Sequence, residues 1–492
     1  MSLRIYNSLT RTKENFIPRN FPEVKMYVCG PTVYNFLHVG NFRNPVFFNL
    51  VRNWLEHLGY KVRFAVNFTD IDDRIIEKAH QEGVDSEVIS ERYIAEFKSD
   101  FSALGLRPHD ANPKVTEHLN AITELIQNLI AKNRAYVANG DVNYSIKEFP
   151  NYGKLSGRNV EELVAGARVE VNEHKQNPLD FALWKATKPG EPHWNSPWGE
   201  GRPGWHIECS AMVKSIFGDQ IDIHGGGTDL IFPHHENEIA QSEGCTEKVY
   251  SKFWMHVNML NVSGMKMSKS LGNFITLRDF LKDNHPEVYK WMILSVHYRS
   301  VSDFGPEGVD RAIVSLARIY SAMAVAESYL SNENLEKWQK LPPVGPWNKE
   351  YDQCWRHIEE ALNDDFNTPE CWAALFEFIR LFNSQVRRGM KDSEELQSKC
   401  YWFLNILRRL GALMSLFQEP PAIFLKTMDD RLLAQKNLKR EDIDRLVEQR
   451  WSIRKAGDYQ KADELRAQLT EMGIAVMDTS EGPFWEVQKK SS

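Results

Sequence analysis

No run of about eighteen apolar residues occurs in this chain, so no stretch is built to cross a bilayer as a helix. The opening residues, MSLRIYNSLTRTKENF, hold neither a long apolar core nor a small-residue cleavage site, and no export signal is expected. Cysteine is scarce: six in 492 residues, at 29, 209, 245, 354, 371 and 400, with no CxxC pair. That usage points to a reducing compartment and to free or metal-bound thiols, not to a disulfide framework. Neither sign of charge dominates. The 60 Lys and Arg against 67 Asp and Glu leave a net −7, so any contact with nucleic acid needs a local basic surface. Internal repeats and low-complexity tracts are also missing.

What is there describes a folded protein of several domains. Hydrophobic residues make up 42% and charged residues 26%, and the length exceeds one ordinary core, so two to four domains are expected. The opening alternates: a short apolar strand at 24–29, an amphipathic helix at 44–60 ending near Gly59, and a strand at 61–68. That rhythm predicts an α/β fold with a doubly wound parallel sheet, whose ligands bind beyond the carboxyl ends of the strands, where Cys29 and Asp70 fall. Residues from about 115 to 200 break the alternation. Within them begins 186–205, with four prolines, four glycines and three tryptophans, which reads as an ordered, packed insertion. Strands at 219–227 and 252–260 resume the pattern. Residues 305–418 carry helical stripes, and the Pro-rich 418–424 reads as a boundary before a small C-terminal unit.

Three stretches carry chemistry. In FPHHENEIA (232–240), Pro233 suits a first helical position, and His234 and Glu238 then share a face, as do His235 and Glu238. A metal could use either pair; a solvated surface helix could carry the same residues. In CGPTVYNFLHVGN (29–41), a strand ends at Cys29, and His38 and Asn41 stand at a helix start. Free backbone N–H groups there welcome a phosphate, although a plain turn capped by asparagine would read the same. SGMKMSKSLGN (263–273) sets two lysines and two serines between glycines, which suits a loop closing on an anion.

HVGN and KMSKS together resemble the two signature motifs of class I aminoacyl-tRNA synthetases. The remaining segments are similar to the cysteinyl-tRNA synthetases: KMYVCGPTVYNFLHVGN, NFTDIDDRII, YGKLSGR, AGARVEV, NPLDFALWK, GRPGWHIECSAM, DIHGGGTDLIFPHHENEIAQSE, LNDDFNTP and ADELRAQLTEMGI. They run in order from about residue 24 to the C-terminal region. The resemblance implies a Rossmann-like catalytic domain in two halves, 1–114 and 201–304, split by a connective insertion at 115–200. A tRNA-contacting helical bundle at 305–418 and an anticodon-binding domain at 425–492 would follow.

The resemblance also implies one zinc ion, held by Cys29, Cys209, His234 and Glu238, a thiolate, imidazole and carboxylate set that suits this metal. Cysteine differs from serine only by sulfur for oxygen, and an apolar pocket rejects such an isostere poorly. A thiolate in the zinc shell would sort the two, and no editing-sized insertion is apparent. His38 and Asn41, with Thr32 and Gly40, would meet ATP, entering with magnesium. Asn41 stands where the signature has histidine and cannot carry charge. Lys266 and Lys269 would neutralise the α-phosphate and the departing pyrophosphate. Thr69, Trp205 and Asp229 would line the amino-acid pocket, with Asp229 facing the ammonium group, and the glycines of HGGGTDL would let adenosine approach the backbone. From Leu425 to Ser492 there are thirteen Lys and Arg and thirteen Asp and Glu, and Arg450, Arg454 and Lys455 could form a phosphate-contacting stripe.

The expected activity is formation of cysteinyl-adenylate from L-cysteine and ATP, then transfer to tRNA(Cys), by a cytoplasmic monomer. Two alternatives share parts of the pattern: a mycothiol-pathway cysteine ligase, which lacks the C-terminal domain, and a non-catalytic RNA-binding zinc protein. Replacing Lys269 with alanine is expected to abolish adenylate formation while leaving zinc content unchanged; normal pyrophosphate exchange in that variant would refute the role given to the lysine.

Overall fold

Four short strands that alternate apolar side chains between two faces make the central sheet: β1 (Glu23–Val28), β2 (Lys61–Val66), β3 (Ile221–Gly227) and β4 (Ser251–Val257). In this computed structural model, which describes residues 2–158, 175–262, 265–266, 274–341, 347–479 and 482–489, they pair in parallel in the order β4-β3-β1-β2. Met26, Val28, Met255 and Val257 enter the core on one face, while Tyr27 and Trp254 enter a second core on the other. Both faces are covered, as a parallel sheet requires.

Helix α1 (Arg43–His57) joins β1 to β2. The sequence predicts an amphipathic helix, but eleven of its residues are buried, because the sheet lies on one side and the C-terminal helices on the other. Its polar residues find partners there: Asn49 Nδ2 donates to Ser415 Oγ (3.1 Å), Asn53 Nδ2 to the Leu413 carbonyl (2.8 Å) and Trp54 Nε1 to Asn363 Oδ1 (3.2 Å). One continuous core therefore runs from the sheet through α1 into the helices Pro306–Glu327, Trp347–Asn363, Thr368–Gln385 and Glu394–Met414.

The insertion contains a helix, Leu119–Ala131, and a four-stranded antiparallel sheet of Ala135–Ala138, Asp141–Tyr144, Phe181–Ala186 and Gly201–Pro203. Its last strand lies beyond residue 200, the expected end, and Gly204 then caps α2 (Trp205–Phe217). Trp194 and Trp198 pack against the second core, as the Trp-rich stretch suggests. The AGARVEV segment lies outside the described residues.

At the far end, the Pro-rich 418–424 runs directly into a helix. Pro421 opens α4 (Pro421–Gln435; α3 is given below), because its missing N–H fits a first turn. Phe424 and Met428 of this helix belong to the main core, and Phe424 stacks on Tyr320 (3.7 Å, 9°), whereas Leu433 belongs to the C-terminal core with Ile443, Val447 and Leu469. One helix thus bridges two cores. Arg450 and Arg454 do not form the expected stripe: Arg450 is buried in a fork on Asp478 (2.7 and 3.1 Å), and Arg454 pairs with the same carboxylate. The cause is the hairpin Ile474–Thr479 with Gly482–Val487, which brings Asp478 back onto their helix.

The tightest contact of sheet and helix is at Gly225, where a Cβ would lie 2.2 Å from the Phe48 ring of α1. Gly225→Ala is expected to destabilise the catalytic half by about 1–3 kcal/mol through overpacking, read as a lower urea midpoint; an unchanged midpoint would mean that α1 shifts freely.

Candidate active site and metal centre

Chain direction across the sheet reverses between β1 and β3: β2 follows β1 on one side, and β4 follows β3 on the other. At such a switch point the loops leave in opposite directions and a crevice opens beyond the strand ends. A cavity of about 340 Å³ lies there. Its walls include Thr32, His38, Gly40, Asn41, Trp205 and Asp229, and Cys29 stands at its base. His38 is the extended residue (φ −84°, ψ 164°) before a turn, Val39–Phe42, that runs into α1. Its backbone N–H donates to Asn41 Oδ1 (3.0 Å), so the asparagine braces the turn as well as facing the cavity.

Beneath the cavity, Phe232 is extended (φ −140°, ψ 132°), and the chain turns helical from Pro233 into α3 (Glu236–Thr246). Pro233 is thus the first helical residue, and His234 and Glu238 meet one turn apart, Nε2 to Oε1 at 3.1 Å. Cys29, from the end of β1, brings its Sγ to 3.5 Å from His234 Nε2 and 3.4 Å from Glu238 Oε1. Cys209, from α2, lies 3.7 Å from Cys29, sulfur to sulfur. The donor atoms of these four buried residues all lie within 4.8 Å of one another. A second set, Cys29, His224, His235 and Glu238, meets the same criterion.

The surroundings favour the first set as a metal shell. Glu238 Oε2 is already engaged, by His224 Nε2 at 2.8 Å and by the Tyr250 hydroxyl at 3.1 Å, which leaves Oε1 toward Cys29 and His234. His235 is less well placed: its Nδ1 lies 2.8 Å from His256 Nε2, whose Nδ1 meets Ser8 Oγ at 2.7 Å, and its Nε2 reaches Cys29 Sγ (3.4 Å) but stands 3.9 Å from Glu238 Oε1, in a set that does not include Cys209. His234 Nδ1 faces His206 Nδ1 at 3.0 Å, a partner that holds the ring with Nε2 inward. Two sulfurs, one imidazole and one carboxylate are a donor set that fits zinc.

Electrostatics agree. The hydrogen bond from Cys29 holds the Cys209 thiol down at about 6 despite burial. Burial and the neighbouring sulfur push Cys29 well above the usual thiol range. Burial opposes charge on His234, but hydrogen bonds with Cys209 and Glu238 hold it up at about 10. Burial opposes ionisation of Glu238 too, and the two histidines, His224 and His234, still keep it well below the usual carboxylate range. Burial lowers His206 and His235, which are neutral.

Other expected site residues fall less directly. Trp205 stacks on His234 (4.4 Å, 27°) and lines the cavity, linking it to the cluster. Thr69 is buried behind the wall, its Oγ1 3.4 Å from Glu208 Oε2. Asp70 caps the start of the insertion through the Val115 and Thr116 amides (2.8 and 3.2 Å). In HGGG, a Cβ at Gly225 would strike the Phe48 ring and one at Gly226 would crowd His235, so the protein's own packing accounts for these two glycines, while Gly227 lines the cavity. Lys269 and the side chain of Lys266 lie outside the described residues. Sequence reasoning passed over His206, His224, Tyr250 and His256. The sole signal was the placing of His224 and His256 late in buried strands, next to a strand-end site.

Residues 16–313 match the family model for the class I (C) tRNA synthetase catalytic domain, 357–418 the DALR domain, and 440–485 the cysteinyl-tRNA ligase anticodon binding domain. Methionyl-tRNA synthetase of Mycobacterium tuberculosis, solved in complex with methionyl-adenylate, has the same fold: TM-score 0.60, 12% identity, 80% of this chain and 92% of that one. Sheet, switch-point cavity and helical C-terminal half are those of a class I aminoacyl-tRNA synthetase. The cysteine–tRNA ligase of Bdellovibrio bacteriovorus is 60% identical over 487 residues, and that of Geobacter sulfurreducens 44% over 498, each match covering 99% of this chain and all of the relative. The chain belongs to the cysteine–tRNA ligases, enzymes that join cysteine to its tRNA at the expense of ATP. Its anticodon-binding match sets aside the amino-sugar ligase reading.

At pH 7 the Cys209 proton is largely gone, but those of His234 and Cys29 are held and must leave when a metal binds. Zinc affinity is therefore expected to rise roughly tenfold or more per unit between pH 7 and 9, measured by competition with a chromogenic chelator. A flat profile would mean that metal binding displaces neither the His234 nor the Cys29 proton, and would overturn this shell.

Proposed function

We propose that the switch-point cavity is where cysteine and ATP meet, and that zinc held by Cys29, Cys209, His234 and Glu238 selects the amino acid. The observation that carries this reading is Cys29, which belongs both to the donor cluster and to the cavity base. When bound, zinc supplies a soft Lewis-acid centre that accepts a thiolate sulfur far better than a serine hydroxyl. Trp205, stacked on His234, shields that end of the cavity from water and limits the room beside the sulfur. Asp229, exposed on the opposite wall, pairs with the ammonium group of cysteine. Thr69 keeps the wall behind the amino acid in register through its backbone pairing with Thr32.

The carboxylate of cysteine attacks the α-phosphorus of ATP, pyrophosphate leaves, and the mixed anhydride cysteinyl-adenylate remains. No side chain is needed as a covalent nucleophile, so the rate comes from positioning and from stabilising charge as it develops. His38, Gly40 and Asn41 present the turn before α1 to the phosphates of ATP, which arrives with magnesium; Thr32 lies across the cavity from them. Lys266 and Lys269 neutralise the equatorial oxygens and the leaving pyrophosphate. The terminal adenosine hydroxyl of tRNA(Cys) then attacks the carbonyl carbon and releases AMP. The domains divide the work as 1–114 and 201–304 for chemistry, with 115–200 as a connective insertion, 305–418 as a tRNA-contacting bundle, and 425–492 for the anticodon, whose bases are read unstacked. One copy carries every residue of this scheme, so the enzyme works as a monomer; we assign it to the cytoplasm, with its substrates.

Cysteine-dependent ATP–pyrophosphate exchange tests the scheme. Exchange should occur with cysteine and not with serine, fall on chelation and return on adding zinc. Undiminished exchange after complete zinc removal would confine the metal to a structural role.

A further inference from the structure

Arg43, the first residue of α1, is 1% exposed. No carboxylate pairs with it among the described residues. Instead Nη1 donates to the carbonyls of Asn258 (2.8 Å) and Met259 (2.7 Å), and Nη2 to those of Ser300 (2.8 Å) and His297 (3.4 Å). Burial lowers its pKa to about 10, which leaves it a cation at pH 7. A buried charge without a counter-ion is a heavy cost, and a neutral amide could hold one or two carbonyls without it. Only a guanidinium fork reaches four carbonyls on two separate loops.

Those loops have defined places. Asn258 and Met259 follow β4 and form a cavity wall, close to Gly227 and Asp229. His297–Ser300 precedes the strand Ser302–Phe304, which pairs in parallel with Leu260–Val262. The Asn258 amide also donates to the Tyr298 carbonyl (2.8 Å), while Tyr298 and Arg299 are held by buried Asp365 of the helical half (2.7 and 2.8 Å). Arg43, itself a residue of the cavity lining, pins the start of α1 to the end of β4 and to the 297–300 loop, which Asp365 in turn ties to the helical half.

We propose that Arg43 is a positioning residue for the nucleotide: it sets the Asn258–Met259 wall at a fixed distance from the His38–Asn41 turn. This rests on the reading that ATP lies between the two. Cysteine sits at the other end, on Trp205 and the donor cluster, which Arg43 does not touch. Loss of the pin loosens one subsite and spares the other.

The test uses the full-length, zinc-containing enzyme and its Arg43→Lys, Arg43→Met and His38→Ala variants in cysteine-dependent ATP–pyrophosphate exchange. Arg43→Lys should raise KM for ATP roughly tenfold, as expected for losing one or two charge-assisted hydrogen bonds. Arg43→Met should raise it further, with KM for cysteine within about twofold of the parent and zinc content unchanged. Should Arg43→Met fail to fold, the ratio of the two KM changes in Arg43→Lys decides alone. A lower melting temperature with both KM values unchanged, or an equal rise in both, would make Arg43 a merely structural residue and overturn the proposal. A rise in KM for ATP in His38→Ala but not in either Arg43 variant would do the same. No change in any of the three would locate the error in the placing of ATP itself.

Discussion

Glu238 is a carboxylate with no exposed surface, and a buried charge persists only where every lone pair is answered. His224 and Tyr250 answer on Oε2; His234 and the Cys29 sulfur answer on Oε1. These partners come from β3, from the residue before β4, from the first turn of the α3 helix and from the end of β1, with Cys209 of α2 close by. The sheet order, the helix start after Phe232 and the entry of α2 from the insertion must all be correct for one carboxylate to remain ionised. Chemistry and architecture are therefore the same constraint at this point. Any shift of β3 against β1 would strand a charge.

A second constraint explains why the helical half cannot be a loose appendage. Helix α1 carries Asn49 and Asn53 on a surface that the helices of the C-terminal half cover, and both bond to the chain between residues 413 and 415. Asp365, fully buried, is answered by Tyr298, Arg299 and the backbone of Tyr6. The core is shared for the same reason: an apolar surface on both sides of α1 must be covered. α4 extends this continuity toward the anticodon-binding unit, since its first turns pack with Tyr320 and its last with the C-terminal core. A continuous path of packed side chains joins the two ends of the molecule.

Much of this was legible beforehand. Periodicity located β1 to β4 within a residue or two at most ends, and the alternation implied a parallel sheet with its site at the strand ends. Pro233 did mark a helix start. Resemblance pointed to the four donors that the fold brings within 4.8 Å. Other readings failed for identifiable reasons. Arg450 reads as a solvent-facing cation in any local window; only the hairpin that returns Asp478 to its helix buries it. The glycines of HGGG divide: Phe48, distant by more than 170 positions, takes up the space at Gly225, whereas Gly227 lines the cavity.

The sequence by itself determined the elements, the class of chemistry and the identity of the groups that perform it, because backbone preferences, side-chain pKa values and ligand softness are local properties. Tertiary structure decided which of those groups could act together. His234 and His235 are adjacent, equally acidic or basic in isolation and equally buried, and no local rule separates them. His206 holds one ring and His256 the other, and both Nε2 atoms reach Cys29 (3.5 and 3.4 Å), but His234 lies 3.1 Å from Glu238 Oε1 against 3.9 Å for His235, and it is the set with His234 that includes Cys209. Distances between strands that are far apart in the chain exist only after the sheet has closed, and the difference between the two rings lies in those distances.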